Sequence, residues 1–205
     1  MKQSLKRSLF TLITALAFFL TVNVAVAAKP TIVDKLIQTD GAQALVAAVL
    51  VVDDAQVLPF SIAELLGDKK AEVVLFAPGN AAFEELLNLE PGFLNGLTIA
   101  EVQAALPGAL TAAGVDVTGV ANILVQHVSL PKKANLRRAS ENALLSQGSV
   151  TVADESIYTV GVGANGVQVN YETTIIKADV SVRNGVIHFI DTVIVDDALD
   201  PPAVN

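Results

Sequence analysis

Apolar residues recur along this chain first with a helical period and then with the alternation of strands. Thr31 precedes Ile32, Val33, Leu36 and Ile37, which share one helical face, and Asp34 stands three residues after Thr31 as a weak capping box. Asp40-Gly41 ends that helix. Residues 42–52 are apolar almost all round (Leu45, Val46, Val49, Leu50), which predicts a deeply buried second helix ended by Asp53-Asp54. Ser61-Ile-Ala-Glu64 is a full capping box opening a short helix to Leu66, closed by Gly67. Val73-Val74-Leu75-Phe76 is a short apolar run, and Pro78 holds Ala77 extended, so a strand runs over 72–77. Asn80 is placed to cap a helix carrying Phe83, Leu86 and Leu87. Thr98-Ile-Ala-Glu101 is another capping box, for a helix to Leu106 that Pro107-Gly108 terminates. Residues 117–128 predict a further apolar helix, or a helix running into a strand.

The rest of the chain reads as strands, over 149–153, 157–162, 167–171, 174–182 and 184–195. The last opens on Asn184-Gly185, the strongest short signal for a type I′ turn, because both central residues there take φ > 0. Ten residues dense in Val, Ile and Phe follow, the pattern of a strand buried on both faces. Helices in the first two thirds and strands in the last third predict an α+β domain rather than βαβ repeats.

Composition changes this picture at the N-terminus. Lys2, Lys6 and Arg7 precede an apolar core over 9–20 and then Ala25-Val26-Ala27, the form of a secretory signal peptide over 1–27. The apolar core is short for a membrane span, and no stop-transfer pattern follows it. The expected arrangement is a leader over 1–27, one domain over 28–198 and a short polar tail over 199–205. Three of the 13 Lys and Arg lie in the leader, leaving ten against 21 Asp and Glu, a net charge of −11. Such an acidic chain is poorly suited to general nucleic-acid binding. There is no Cys, hence no disulfide and no lipid attached through one, and no Trp to stack on sugars. A short leader without Asn-x-Ser/Thr sequons is the pattern of a bacterial exported protein, secreted or periplasmic, with no membrane span after leader removal and monomeric.

Candidate chemistry centres on His188 and Asp191 in the last strand. Residues three apart on a strand face opposite sides, so these two do not pair directly. The plainer reading makes His188 and His127 buried, hydrogen-bonded structural residues. Two histidines and no cysteine leave little for a transition metal, and no Asp-x-Asp-x-Asp-Gly calcium loop is present. No metal or cofactor is therefore expected. Eight of the 21 carboxylates fall in adjacent pairs, such as Glu84-Glu85, whose side chains diverge and do not face each other across a substrate. Gly161-Val-Gly163-Ala-Asn-Gly166 spells the dinucleotide fingerprint, but a strand-like alternation follows it where a helix is needed, and Asn165-Gly166 reads as a hairpin turn. No G-x-S-x-G elbow presents a serine nucleophile. Lys132, Lys133, Arg137 and Arg138 gather four of the ten basic residues left after the leader into seven positions. That loop is a candidate for an anionic partner, with a solvated loop amid acidic surroundings as the simpler alternative.

Three segments together resemble the fasciclin domain of extracellular adhesion proteins: Val74-Leu-Phe76-Ala-Pro78-Gly-Asn80-Ala-Ala-Phe83, then Ile123-Leu-Val-Gln126-His127-Val128, then Asn184-Gly185-Val-Ile-His188-Phe-Ile-Asp191. Ala178-Asp179-Val180 is similar to the segment that usually precedes the last of them. The resemblance spans about residues 31–195. It implies a wedge of two β-sheets flanked by helices, and adhesion or binding rather than catalysis. Gly79 and Ala81 stand where the family usually has Thr and Glu, which loosens the cap of that helix. Gln126 stands where adhesive animal members carry a Tyr beside the His, so an integrin-ligand role does not carry over. The partner implied is a cell-surface or matrix protein or polysaccharide. The other readings are a carrier of a small or lipid-like ligand in a cleft between the helices and the wedge, and an extracellular hydrolase. The last would need a convergent His, acid and nucleophile cluster that the chain does not supply.

Overall fold

The computed structural model describes residues 28–130, 140–170 and 172–195. The leader, Tyr171, residues 196–205 and the Lys132, Lys133, Arg137 and Arg138 cluster lie outside the described residues. The helices are α1 (Ile32–Ile37), α2 (Gln43–Ala55), α3 (Ile62–Gly67), α4 (Asn80–Leu86), α5 (Ile99–Ala112), α6 (Val117–Gln126) and α7 (Glu141–Gln147). The strands are β1 (Val73–Pro78), β2 (Val128–Ser129), β3 (Ser149–Thr151), β4 (Ile157–Gly163), β5 (Gly166–Val169), β6 (Thr173–Val182) and β7 (Gly185–Ile190). The expected α+β class is observed.

The strands follow one hydrogen-bonded order, β2-β1-β7-β6-β5-β4-β3, in which β1 and β7 are parallel and the other pairs antiparallel. The two ends of the order also meet. Ala153 N–H donates to Val128 O over 2.7 Å, and the Ser129 hydroxyl donates to Thr151 O. What the resemblance implies as two sheets is thus the two halves of a strand order curled nearly into a ring. Register shifts in β6, between Ile175 and Lys177 and between Lys177 and Val180, are the irregularities that let a sheet bend so tightly.

This curl explains why β1 has no polar face. Val73, Leu75 and Ala77 point into a core shared with the helices, whereas Val74 and Phe76 point into the ring with Val150, Tyr158, Val160 and Val169. β7 divides the same way, with Ile187 and Phe189 toward the helices and Ile190 toward the ring. On the helical side, α2 packs against α5 and α6.

Local capping signals act as expected at α1 and α5. Thr31 with Asp34, and Thr98 with Glu101, form complete boxes. The Thr31 N–H holds the Asp34 carboxyl below its usual range, and the Thr98 N–H does the same for Glu101. Ser61 caps α3 through Glu64 N–H, but the reinforcing carboxylate is Asp53, not Glu64. Asp53 accepts from the Ser61 hydroxyl at 2.7 Å, Ile62 N–H at 2.8 Å and Ala63 N–H at 2.9 Å. Asp53 therefore does not stop α2, which runs on to Ala55.

Four further expectations are corrected. Pro107 does not end α5, which continues to Ala112 because Val102, Leu106 and Leu110 form one buried stripe across the proline. The region after residue 128 is not all strand, since Ser140 caps the short helix α7 and Gly148 ends it at φ 70°. The β4–β5 turn is Ala164-Asn165, closed by the pair Gly163 and Gly166, rather than Asn165-Gly166. The β6–β7 turn is Arg183-Asn184, and neither Asn184 nor Gly185 has positive φ, so it is not the expected type I′ turn. The glycine answers a different need. A Cβ at Gly185 would lie 2.0 Å from the carbonyl oxygen of Val73.

Candidate functional site

The motif residues Phe76, Pro78, Asn80, Phe83, His127, Asp179, Asn184, Gly185, His188 and Asp191 lie in or beside the β1–β7 pair and the elements packed on it. Pro78 pairs with Ile190 at the end of that ladder, and Phe83 is buried among the helix-side core. The polar members each fasten backbone from a distant element.

Asn80 lies at the start of α4, where Gly79 is the N-cap, and its side chain caps α2 instead. Its Oδ1 accepts from Ala44 N–H at 3.0 Å, and its Nδ2 donates to Gln43 Oε1 at 3.0 Å. The reason is local to α2, whose own N-cap, Ala42, has no side-chain oxygen to offer. Asn184 does comparable work at the other side of the core. Its Oδ1 accepts from Ile32 N–H at 2.9 Å, and its Nδ2 donates to Leu66 O at 2.8 Å and Asp68 O at 3.0 Å. One amide thereby joins the start of α1, the end of α3 and the β6–β7 turn.

His127 is the C-cap of α6 and His188 is the fourth residue of β7. Both are buried. The His188 ring stacks on Phe76, its neighbour across the ladder, with centroids 5.7 Å apart and planes at 26°. Asp179 sits in the irregular part of β6 at φ 59°, where its N–H donates to His188 Nδ1 across 3.4 Å. Its own Oδ1 accepts from Glu141 N–H at 2.9 Å in the first turn of α7. Asp191 Oδ1 accepts from Thr174 N–H at 2.7 Å and from the Thr192 hydroxyl at 3.2 Å, tying the end of β7 to β6. Gln126 is buried, so the position beside His127 is no surface contact in this chain. Among the described residues, no group of three or more His, Cys, Asp or Glu could hold a metal ion.

Two features escape a reading of the sequence. Glu84, read there as one of an adjacent pair, is buried and holds the following turn, accepting from Gly92 N–H at 2.7 Å and Leu94 N–H at 2.8 Å. The second is a surface groove of about 250 Å³ between α1, α2, α3 and the start of α5, whose lining presents no polar surface. Val33, Ile37, Val46, Leu50, Ala63 and Ile99 are among its walls, and Ile37 is 55% exposed. The all-round apolar character of α2 held the signal. Leu45 and Val49 are buried as expected, but Val46 and Leu50 are only half-buried and face this groove. A larger recess of about 410 Å³ at the end of α2 is lined by Asp53, Gln56, Phe60 and Glu64, with both Asp53 oxygens committed to capping α3.

Comparison with curated protein sequences gives no match. Among solved structures, the fold is similar to a FAS1 domain pair from the insect cell adhesion molecule Fasciclin I, with a TM-score of 0.58 and 14% sequence identity. The match covers 84% of this chain and 53% of that one, so the chain spans about half the length of the domain pair. The family model for the fasciclin domain matches residues 56–196. The helices before residue 56 share the same core as this segment, through Ile32, Leu36, Leu45 and Val49. With the family model covering more than half of its length, this chain belongs to the fasciclin domain family.

Proposed function

We propose that this protein is an exported, non-catalytic interaction module that attaches to a cell-surface or matrix protein or polysaccharide. The observation that carries this reading is the fate of the motif side chains. Asn80, His127, Asn184 and Asp191 each bond backbone groups of other elements, which fits a scaffold rather than a reaction centre. The adhesion molecule that shares its fold is consistent with this. Among the described residues no single helix is long and apolar enough to cross a membrane. The contact surface is placed on the cluster of Lys132, Lys133, Arg137 and Arg138, which offers cationic groups on an otherwise acidic chain.

The test is saturable binding of the labelled protein to intact cells, to their extracted matrix and to purified anionic polysaccharide. Replacing all four basic residues with Ser is expected to weaken polysaccharide binding about tenfold at low ionic strength, and the difference should vanish in about 1 M salt, where the Debye length is about 3 Å. Affinity untouched by both changes would remove the cluster from the reading. Absence of saturable binding to any of the three would remove the adhesive role itself.

The groove favours a second reading, a carrier for a small apolar ligand. Pockets for drug-sized ligands run from about 300 to 1,000 Å³, so a groove of about 250 Å³ suits a short hydrocarbon group. Its lack of polar lining disfavours a peptide, whose buried N–H and C=O groups would go unpaired there. Titration with a short-chain alkyl probe should saturate in the wild-type protein and weaken about tenfold in Ile37→Asp, with the melting temperature little changed because Ile37 is already 55% exposed. Equal binding by both proteins would dismiss the groove.

A further inference from the structure

His127 is 1% exposed, and both of its ring nitrogens are bonded to backbone. Nδ1 lies 2.7 Å from Ile123 O, an atom that only accepts, and Nε2 lies 3.0 Å from Ile194 N, whose hydrogen only donates. The ring is therefore neutral, with its proton on Nδ1. The second bond fastens the chain leaving β7 to the C-terminal end of α6. We propose that His127 is an acid-operated latch: a proton added at Nε2 turns the acceptor into a second donor, so the ring releases the Ile194 N–H and residues 193–195 detach from α6.

The release is local in its wiring. β7 is held along its length by β1 and by β6, neither of which depends on this ring. Val193 and Ile194 each fill a different core, Val193 on the helical side and Ile194 inside the ring of strands, so detachment withdraws one residue from each. Burial and the Ile123 carbonyl, not a neighbouring charge, set the His127 pKa. α2, packed on α6, carries Asp53, which caps α3, and Asp54, which accepts from Gln103 Nε2, while Asp154 and Glu155 follow Ala153, whose N–H bonds Val128 O. α6, β1 and β2 contain no titratable residue. β7 contributes His188, which stacks on Phe76, and the following segment contributes Asp191, whose Oδ1 is engaged by Thr174 and Thr192. Asp196 and Asp197 lie outside the described residues.

Burial pushes the His127 pKa down from 6.5 to about 4, against a smaller upward pull from the Ile123 carbonyl. A released, hydrated ring titrates at its ordinary value. A pKa depressed in the closed state means that the open state binds more protons, so acid favours opening. The latch is at full strength above about pH 6.5 and weakens as pH falls to about 4. By well below pH 4 the open-to-closed ratio has risen about 300-fold in all, the factor set by the pKa difference.

The test follows backbone amide and imidazole nitrogen resonances of the protein from pH 7 to pH 3. The Ile194 amide should shift together with the His127 ring, with a midpoint at or above pH 4, while the amides of Leu75 and Ile187 in the β1–β7 ladder hold their positions. In His127→Gln the side-chain amide can donate to Ile123 O and accept from Ile194 N–H without titrating, so its Ile194 amide should stay in place to pH 3. Three results would overturn the latch: a ring that titrates without moving the Ile194 amide, a single transition shared by Ile194 and Leu75, or the same Ile194 transition in His127→Gln. If that variant does not fold, the wild-type resonances alone decide between local release, no release and global unfolding.

Discussion

Replacing Asn184 with alanine is expected to lower the free energy of unfolding by about 4 kcal/mol, a large share of the roughly 5–15 kcal/mol that holds a domain folded. The size follows from what is left behind. The substitution strands Ile32 N–H and Leu66 O and removes one of the two partners of Asp68 O, which still accepts from Ala71 N–H at 3.2 Å; an unpaired buried backbone group costs about 1–3 kcal/mol. The Asp68 bond is only part-buried, so water recovers some of its loss, which keeps the sum below the upper bound. The Ile32 and Leu66 bonds are buried. Asn184→Asp separates hydrogen bonding from shape. It keeps the Ile32 acceptor but aims a carboxylate oxygen at two carbonyls, so its penalty at pH 7 should equal or exceed that of alanine. The folded state raises that carboxyl's pKa, so the penalty relative to wild type should shrink as pH falls through it, when the protonated oxygen can donate. Urea unfolding at pH 7 and pH 5 measures both effects. A loss under about 1 kcal/mol in Asn184→Ala would show that this amide is not the junction of α1, α3 and the β6–β7 turn.

That junction marks where reading the sequence succeeds and where it stops. The boxes at Thr31 and Thr98 were legible because donor and acceptor lie within one helical turn. Asn80 and Asn184 act on partners 36 to 152 residues away, and nothing in their flanking residues announces which backbone will need them. The α2 helix shows the missing half of such a signal, since Ala42 is a poor cap and some other side chain had to supply the oxygen. Pro107 misled because a local preference was weighed alone. The missing N–H removes one bond, while the stripe of Val102, Leu106 and Leu110 keeps the helix packed on both sides of it. The short helix α7 buries only Leu144, too little to print a helical period. The strands were legible from alternation, but their closure into a ring rests on Ala153 meeting Val128 and Ser129 meeting Thr151, contacts between opposite ends of the strand order. The His127 bonds are half legible: Ile123 lies one helical turn back, but Ile194 is 67 residues on.

Gly185→Ala should destabilise the protein by about 3 kcal/mol or more, and Gly108→Ala should move it the other way. At Gly185 the added Cβ would sit 2.0 Å from Val73 O, 3.0 Å from Val73 C and 3.1 Å from Ile32 Cδ1. The two nearest atoms are backbone, so no rotamer change relieves the overlap, and the first rung of the parallel β1–β7 ladder must separate. That rung is anchored by Val73 N–H donating to Asn184 O at 3.1 Å, so the strain reaches the Asn184 junction too. The effects of Gly185→Ala and Asn184→Ala should therefore fall short of additive when combined, as substitutions that break one shared structure do. Gly108 lies inside α5 with nothing within 4 Å of the place an added methyl group would take, so alanine there gains about 0.5–1 kcal/mol from helix propensity alone. For a domain of this size 1 kcal/mol moves the melting temperature by about 2–4 °C, which places the two variants on opposite sides of wild type by margins that thermal unfolding resolves. If Gly185→Ala melted within a degree of wild type, glycine at that position would owe nothing to the approach of β1, and the close packing of the central parallel pair would have to be abandoned.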